Sequence, residues 1–124
     1  MATVLHLMPS TVWRGLDERE PITSPSLASE GFIHCTDSAS VLLQVANAFY
    51  RDQTGEFVVV HIDTEGLTSV CVWEAPAHIS GSGPAFAPKF PHIYGPIDRN
   101  AVTHVQDVVR DAHGQFVGYD SAAQ

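Results

Sequence analysis

The apolar positions of this chain fall into short blocks, each bounded by proline, glycine or polar turn residues. Blocks of this length, rich in β-branched residues, predict strands over residues 2–7, 31–35, 57–62 and 68–74. The block at 57–62, FVVVHI, is an apolar run interrupted only by His61, which is typical of a strand covered on both faces. We therefore expect this strand to be buried on both sides.

A different spacing of apolar residues predicts the helices. After Asp37, which is a suitable N-cap, apolar residues recur at intervals of three and four, and Gly55 ends the predicted helix. The apolar stripe of this main helix consists of Val41, Leu42, Val45, Ala46 and Phe49. A shorter helix is predicted over residues 10–17 with Ser10 as its N-cap, and one further helical turn fits residues 26–30.

The second half of the chain has a less regular pattern. Residues 63–66 are a predicted turn, and residues 75–89 are a long connection that favours a lid or a ligand-binding segment. Residues 90–97, FPHIYGPI, contain two prolines and are expected to form no regular element. Residues 101–109 fit a strand or a helix. We favour a strand, because residues 111–114 then turn the chain into a hairpin with 115–119.

Together these elements predict one α+β domain over residues 1–124, with a small, mostly antiparallel split sheet, one main helix and short helices. The length of 124 residues leaves no room for a second core, and 44% hydrophobic residues are enough for one. No apolar segment approaches the roughly 20 residues of a membrane span. Because the first residues, MATVLHLM, have no basic leader region, we expect a cytoplasmic protein.

The charge of the chain limits its partners. Six Lys and Arg residues against 14 Asp and Glu residues give a net charge of −8. Nucleic acid and anionic membranes need a basic face, so neither is expected as a partner. A small phosphorylated ligand held in a local pocket stays open. Cys35 and Cys71 are expected to be free thiols, because disulfides are rare in the cytoplasm.

Histidine is the residue type that points to a site. The chain has seven, and His6, His34 and His92 stand in the apolar contexts VLHLM, GFIHC and FPHIY. An imidazole in such a setting needs a hydrogen-bond partner or a pocket, because an unpaired buried polar group costs about 1–3 kcal/mol. Each of the three is therefore either a core residue bonded to a main-chain carbonyl or part of a shared cleft.

Two other side chains are candidates for the same cleft. Glu74 ends a predicted strand, either as the first solvated position or as a carboxylate that accepts a sugar hydroxyl or stabilises positive charge. Tyr94 is interpreted as a pocket residue, whereas Trp13 is interpreted as a core aromatic. A zinc ion would need ligands from distant segments, such as the three histidines, and no metal is expected.

Five segments of the chain together resemble the bacterial domain of unknown function family 952. They are LHLMPSTVW, PSLASEGFIHCTD, ANAFY, VWE and FPHIYGPI, and the resemblance covers roughly residues 3–118. The resemblance implies an ADP-ribosyltransferase-like fold, similar to that of RNA 2′-phosphotransferases. On that fold His6 and His34 would grip the nicotinamide-ribose end of NAD, with Thr36 and Tyr94 as further cofactor-binding residues.

The third motif of the resemblance would be occupied by Tyr94 or His92. Related transferases keep a glutamate or a less polar residue there, and Glu74 is a further candidate for that role. NAD would then be the substrate. Phosphotransfer itself is not expected, because Leu5 and Ile33 precede the two histidines, near which the phosphotransferases carry phosphate-holding arginines.

Three functions are open at this point. The first is an enzyme, an NAD-dependent ADP-ribosyl transferase or an NAD glycohydrolase. The second is a non-catalytic module that retains the pocket and binds a nucleotide or a small anion. The third is a zinc-dependent hydrolase. The first two imply a small nucleotide as the ligand.

Overall fold

A computed structural model describes residues 2–74 and 89–120 of the chain. The α-helices and strands in these residues are β1 (Thr3–Pro9), α1 (Ser10–Gly15), α2 (Pro25–Glu30), β2 (Ile33–His34), α3 (Ala39–Phe49), β3 (Phe57–Asp63), β4 (Val70–Glu74), β5 (Phe90–Tyr94), β6 (Val102–Arg110) and β7 (Phe116–Tyr119). They form two sheets in which the paired strands are antiparallel. The predicted α+β class with a small antiparallel split sheet and few helices is confirmed.

The larger sheet has four strands in the order β1-β3-β6-β7. Its inner strand β3 alternates its side chains between two hydrophobic clusters, so that Val58 and Val60 belong to one and Phe57 and Val59 to the other. The first cluster also contains residues of the smaller sheet, and the second contains residues of α3. The prediction that 57–62 is covered on both faces is therefore confirmed.

The smaller sheet has three strands in the order β2-β5-β4. The expectation that 90–97 forms no regular element is wrong, because Phe90–Tyr94 is its central strand β5. A proline removes one hydrogen bond from a strand ladder. Here the N–H of Cys35 donates to the carbonyl of Pro91 at 3.1 Å, and the missing N–H of Pro91 falls where the pairing with β2 has ended. Proline is tolerated at this position for that reason.

Helix α3 begins and ends at other residues than predicted. Its N-cap is Ser38, whose hydroxyl accepts a hydrogen bond from the Val41 N–H at 3.3 Å, and not Asp37. The helix ends at Phe49, before Gly55. Gly55 has a φ of 96° and lies in the turn that leads into β3, so its left-handed backbone serves the turn and not the helix end.

Three short elements also differ from the sequence pattern. Helix α1 has Pro9 as its N-cap, and Ser10 is its first helical residue. Helix α2 begins at Pro25 behind an N-cap at Ser24. Strand β2 contains only two residues, because the chain before it still includes Gly31, the left-handed C-cap of α2 with a φ of 90°.

The strand assignment for 101–109 is confirmed by β6, which forms a hairpin with β7. The Asp111 carboxylate accepts hydrogen bonds in the turn from the main-chain N–H groups of His113 and Gln115, at 2.9 Å each. The predicted lid or ligand-binding segment at 75–89 lies outside the described residues, apart from Lys89. No described helix is both long enough and apolar enough to cross a membrane.

Candidate functional site

One face of the smaller sheet carries the polar side chains of the candidate site. Ile33 of β2 pairs with Ile93 of β5, and both are fully buried in the hydrophobic cluster that the two sheets share. Side chains alternate along a strand, so the next pair, His34 and His92, lies on the opposite face. We call this surface the histidine face, and its residues are Phe32, His34, Glu74, His92 and Tyr94.

Glu74 is the most connected carboxylate of the histidine face. Its Oε1 accepts a hydrogen bond from the Tyr94 hydroxyl at 2.5 Å and another from Nδ1 of His92 at 2.7 Å. The Tyr94 bond, followed by the His92 bond, holds the pKa of Glu74 below its ordinary value of 4.5. The same bond from the hydroxyl raises the pKa of Tyr94. At neutral pH the face therefore presents an ionised carboxylate with two fixed donors.

These side chains differ in how far solvent reaches them. The side chain of Glu74 is 38% exposed and that of His92 only 3%. Tyr94 is also exposed, and His34 is partly exposed. Glu74, Tyr94 and His34 are therefore open to direct contact from solvent, whereas His92 is shielded and bonds to Glu74.

Aromatic rings cover the buried imidazole. Phe32 stacks on His92 with ring centroids 4.1 Å apart and planes at 17°, and its ring centroid lies 4.9 Å from that of His34. The imidazoles of His34 and His92 are 5.5 Å apart. At the end of α2, Oε2 of Glu30 lies 3.2 Å from Nε2 of His34, one helical turn away in sequence. Each imidazole of the face is therefore paired with a carboxylate.

His6 meets the histidine face from the other sheet. Leu5 of β1 and Thr36 exchange main-chain hydrogen bonds of 2.6 and 2.9 Å, which brings β1 against the end of β2. Nδ1 of His6 donates to the carbonyl of His34 at 2.9 Å, and the ring is buried. Burial lowers the pKa of His6, so the ring is neutral at pH 7. His6 thus touches the backbone of His34.

Two other residues that the sequence analysis singled out, Thr36 and Trp13, lie outside the histidine face. Thr36 is buried, and its hydroxyl donates to the carbonyl of Ser38 at 3.3 Å. Trp13 packs against the cluster shared by the two sheets, as predicted for a core aromatic, and the guanidinium of Arg99 lies 4.5 Å from its ring centroid. Neither side chain is a member of the histidine face.

Sequence reasoning missed Phe32 and Glu30. The signal for Phe32 was its position two residues before His34, which places it on the same face of an extended chain. Glu30 gave a weaker signal, because the end of α2 at Gly31 separates it from His34. The sequence pattern does not set the angle between α2 and β2. Both are fixed by contacts that depend on the folded turn between α2 and β2.

The described residues also bear on metal binding and on the reactivity of the two thiols. No group of three or more His, Cys, Asp or Glu among residues 2–74 and 89–120 is arranged to hold a metal ion. Cys35 and Cys71 are free, as predicted. Burial raises the pKa of both thiols, so at neutral pH they are protonated and poor nucleophiles.

A family model described as a protein of unknown function (DUF952) matches residues 7–105. Two crystal structures of protein CC0527 from Caulobacter crescentus, the second of a double mutant, are similar to this chain. Their TM-score is 0.69, their sequence identities are 24% and 23%, and the match covers 94% of this chain and of theirs.

A solution NMR structure of CC0527 has a TM-score of 0.56 and 24% identity, and the match covers 92% of this chain and 90% of that one. Identities at this level show a shared fold alone. These solved structures give no support to the ADP-ribosyltransferase-like fold that the resemblance implied. None of the curated proteins matches the chain.

Proposed function

Because the chain belongs to the DUF952 family of proteins of unknown function, its activity must be inferred from the site, and we propose that it cleaves the N-glycosidic bond of NAD. It would do so as an NAD glycohydrolase or an ADP-ribosyl transferase, and the ADP-ribosyltransferase-like relationship is part of this proposal. The single observation that carries it is the exposed Glu74 carboxylate, whose Oε1 accepts from Tyr94 and His92.

The chemistry of this bond suits such a carboxylate. As the bond between C1′ of the ribose and the nicotinamide nitrogen breaks, its electron pair leaves with nicotinamide, and positive charge develops on the sugar. A fixed carboxylate stabilises that charge more than it stabilises the substrate. In hydrolysis, water bonds to C1′ and releases a proton to solvent. In transfer, a nucleophile of the acceptor takes the place of water.

The other residues are assigned roles by their exposure and contacts. Tyr94 and Phe32 supply aromatic surface beside the carboxylate, and His34 is the partly exposed imidazole that contacts the ribose end. His92 is a positioning residue, because its Nδ1 proton fixes one oxygen of Glu74. We assign positioning roles to His6 and Thr36 as well, because both are buried against the end of β2.

The test is nicotinamide release from NAD by the purified chain, measured by chromatography. Glu74→Gln removes the negative charge but keeps the shape, and it is expected to lower the rate by roughly 100-fold. Glu18→Gln is the matched control, because Glu18 is exposed and lies in the loop after α1; its rate should stay unchanged. Circular dichroism verifies that both variants are folded.

The outcomes separate the candidate functions. Nicotinamide release that depends on Glu74 supports the proposal. NAD that stabilises the protein against heat and is recovered intact would identify the non-catalytic binding module instead. If NAD is neither cleaved nor bound at high protein concentration, the enzyme and the binding module are both contradicted.

A further inference from the structure

The positions of the positive charges in the chain bear on whether the site prefers a substrate with or without phosphate groups. The chain has six cationic side chains, which are those of Arg14, Arg19, Arg51, Lys89, Arg99 and Arg110. A dinucleotide such as NAD carries two phosphate groups, and proteins usually bind such groups with arginine, lysine or helix N-termini. The position of each cation therefore shows whether a charged side chain is available to hold the phosphates of NAD beside the histidine face.

Two of the arginines hold main-chain groups elsewhere in the fold. Arg110 donates to the carbonyls of Arg51, Gln53, Gly55 and Gly114 at 2.7–3.1 Å. Arg99 stacks on Trp13 and donates to two carbonyls of the loop after α1. Neither guanidinium belongs to the histidine face.

The other three arginines are also placed elsewhere. Arg14 pairs with Glu56 at 3.6 Å. Arg19 lines a cavity of about 600 Å³ together with Arg99, and no residue of the histidine face lines that cavity. Arg51 lies near Asp111 in the β6–β7 turn. The hydrogen bond from the Gln115 N–H lowers the pKa of that carboxyl most, and the charge of Arg51 adds a smaller lowering.

Lys89 is the one cation that adjoins the site in sequence, since it directly precedes Phe90 at the start of β5. It is exposed. The sequence between Glu74 and Lys89 contains no lysine or arginine. Within residues 2–74 and 89–120, Lys89 is therefore the one lysine or arginine that adjoins the face.

Two carboxylates, in contrast, lie at the face. Glu74 and Glu30 bring a carboxylate to each of its imidazoles. Carboxylates attract a positively charged base and repel phosphate. Resting on the proposed function, we infer that the preferred substrate is a ribonucleoside with a positively charged pyridinium base and no phosphate, of which nicotinamide riboside is the simplest example. Its cleavage follows the same balance: the electron pair leaves with neutral nicotinamide, water bonds to C1′ and a proton is released.

The experiment compares nicotinamide release from nicotinamide riboside, nicotinamide mononucleotide and NAD at low ionic strength. We expect kcat/KM to be at least about 10-fold higher for the riboside than for either phosphorylated substrate. Added salt should bring this ratio of kcat/KM values closer to 1, because it screens the repulsion between the carboxylates and the phosphates. Glu30→Gln should also bring the ratio closer to 1, whereas Glu18→Gln should leave the ratio unchanged.

The possible results distinguish the two proposals. Equal rates, or a preference for NAD, would overturn the inference about the substrate and leave the proposed function standing. Release from none of the three substrates would instead overturn the proposed function, and this inference with it. A preference for the riboside that neither salt nor Glu30→Gln changes would show that electrostatic repulsion is not its cause, which would also overturn the inference.

Discussion

Polar side chains are used in opposite ways in the β6–β7 hairpin and on the histidine face. In the hairpin they bond to the main chain: Arg110 donates to four carbonyls, and Asn47 of α3 bonds both the N–H and the carbonyl of Phe116, at 2.7 and 2.9 Å. On the histidine face they bond to one another, through Glu74, His92 and Tyr94.

The difference separates structural from functional use of polar groups. A main-chain carbonyl cannot move without moving its strand or loop, so a bond to it fixes the fold. A side-chain partner that is exposed, such as Glu74 or Tyr94, is open to contact with a ligand, and the sheet beneath does not depend on it. Substitutions in the hairpin should therefore change stability, and substitutions on the histidine face should change chemistry.

The largest effect on stability is expected at Phe116. This side chain is 2% exposed, packs edge-on against Phe57 with ring centroids 5.5 Å apart, and lies under the guanidinium of Arg110 at 4.4 Å. Phe116→Ala should lower the free energy of unfolding by about 3–5 kcal/mol, because it leaves a cavity in the second hydrophobic cluster. Urea denaturation measures this change.

Val117 provides the matched control for that substitution. It is the next residue of β7, its side chain points to the other face, and it is 51% exposed. Val117→Ala should cost less than about 1 kcal/mol. Equal losses for Phe116→Ala and Val117→Ala would contradict the placement of the second cluster.

A smaller, pH-dependent effect is expected at Tyr119, whose hydroxyl donates to the carbonyl of Ala39 at the start of α3. Burial raises the pKa of Tyr119 from its ordinary value of 10.0 to about 12. At a pH between 10.0 and about 12, the hydroxyl of Tyr119 is deprotonated in the unfolded chain but still protonated in the native state. The free energy of unfolding therefore falls as the pH rises through this window.

Tyr119→Phe should flatten that alkaline decline. Near pH 7 the variant should cost about 1 kcal/mol, which is typical of one lost hydrogen bond. The measurement is urea denaturation of both proteins from pH 7 to pH 11.5. An identical alkaline slope for the two would show that Tyr119 does not cause the decline, since the remaining tyrosines are common to both.

The sequence predicts the continuous strand at 57–62 well and the strand at 90–94 badly, for physical reasons. Four consecutive apolar residues, Phe57 to Val60, followed by Ile62 after His61, need cover on both faces, so the pattern alone implies an inner strand. Pro91 argues against a central strand only if its missing N–H faces a partner. The pattern does not show that β2 is two residues long and ends at that point.

The residues of the candidate site also divide into those that the sequence could single out and those that it could not. His34 and His92 could be singled out because a polar ring in an apolar strand needs a partner. The link from Glu74 to His92 and Tyr94 depends on the register of β4 against β5, and the long intervening segment leaves that register open in the sequence. His6 likewise joins the site only through the bridge between Leu5 and Thr36.

The smallest and most specific effect is expected at Tyr94, which contrasts with Tyr119 because its hydroxyl donates to a carboxylate. That bond is the largest cause of the low pKa of Glu74. A carboxyl whose pKa is lowered in the folded protein adds stability above its ordinary pKa, and that stability is lost as the pH falls through the folded value. Tyr94→Phe removes the hydroxyl and keeps the ring beside Phe32.

The pKa of Glu74 should therefore rise toward 4.5 in Tyr94→Phe, and the acid limb of nicotinamide release should move to higher pH. The urea midpoint at pH 7 should stay close to that of the unsubstituted protein, because Tyr94 is exposed. Tyr119→Phe should leave the acid limb where it is, since its hydroxyl is bonded to a carbonyl and not to Glu74. A shift of the acid limb in both variants, or in neither, would mean that the Tyr94 hydroxyl does not control the ionisation of Glu74, and the contrast between carbonyl-bonded and carboxylate-bonded tyrosines would fail.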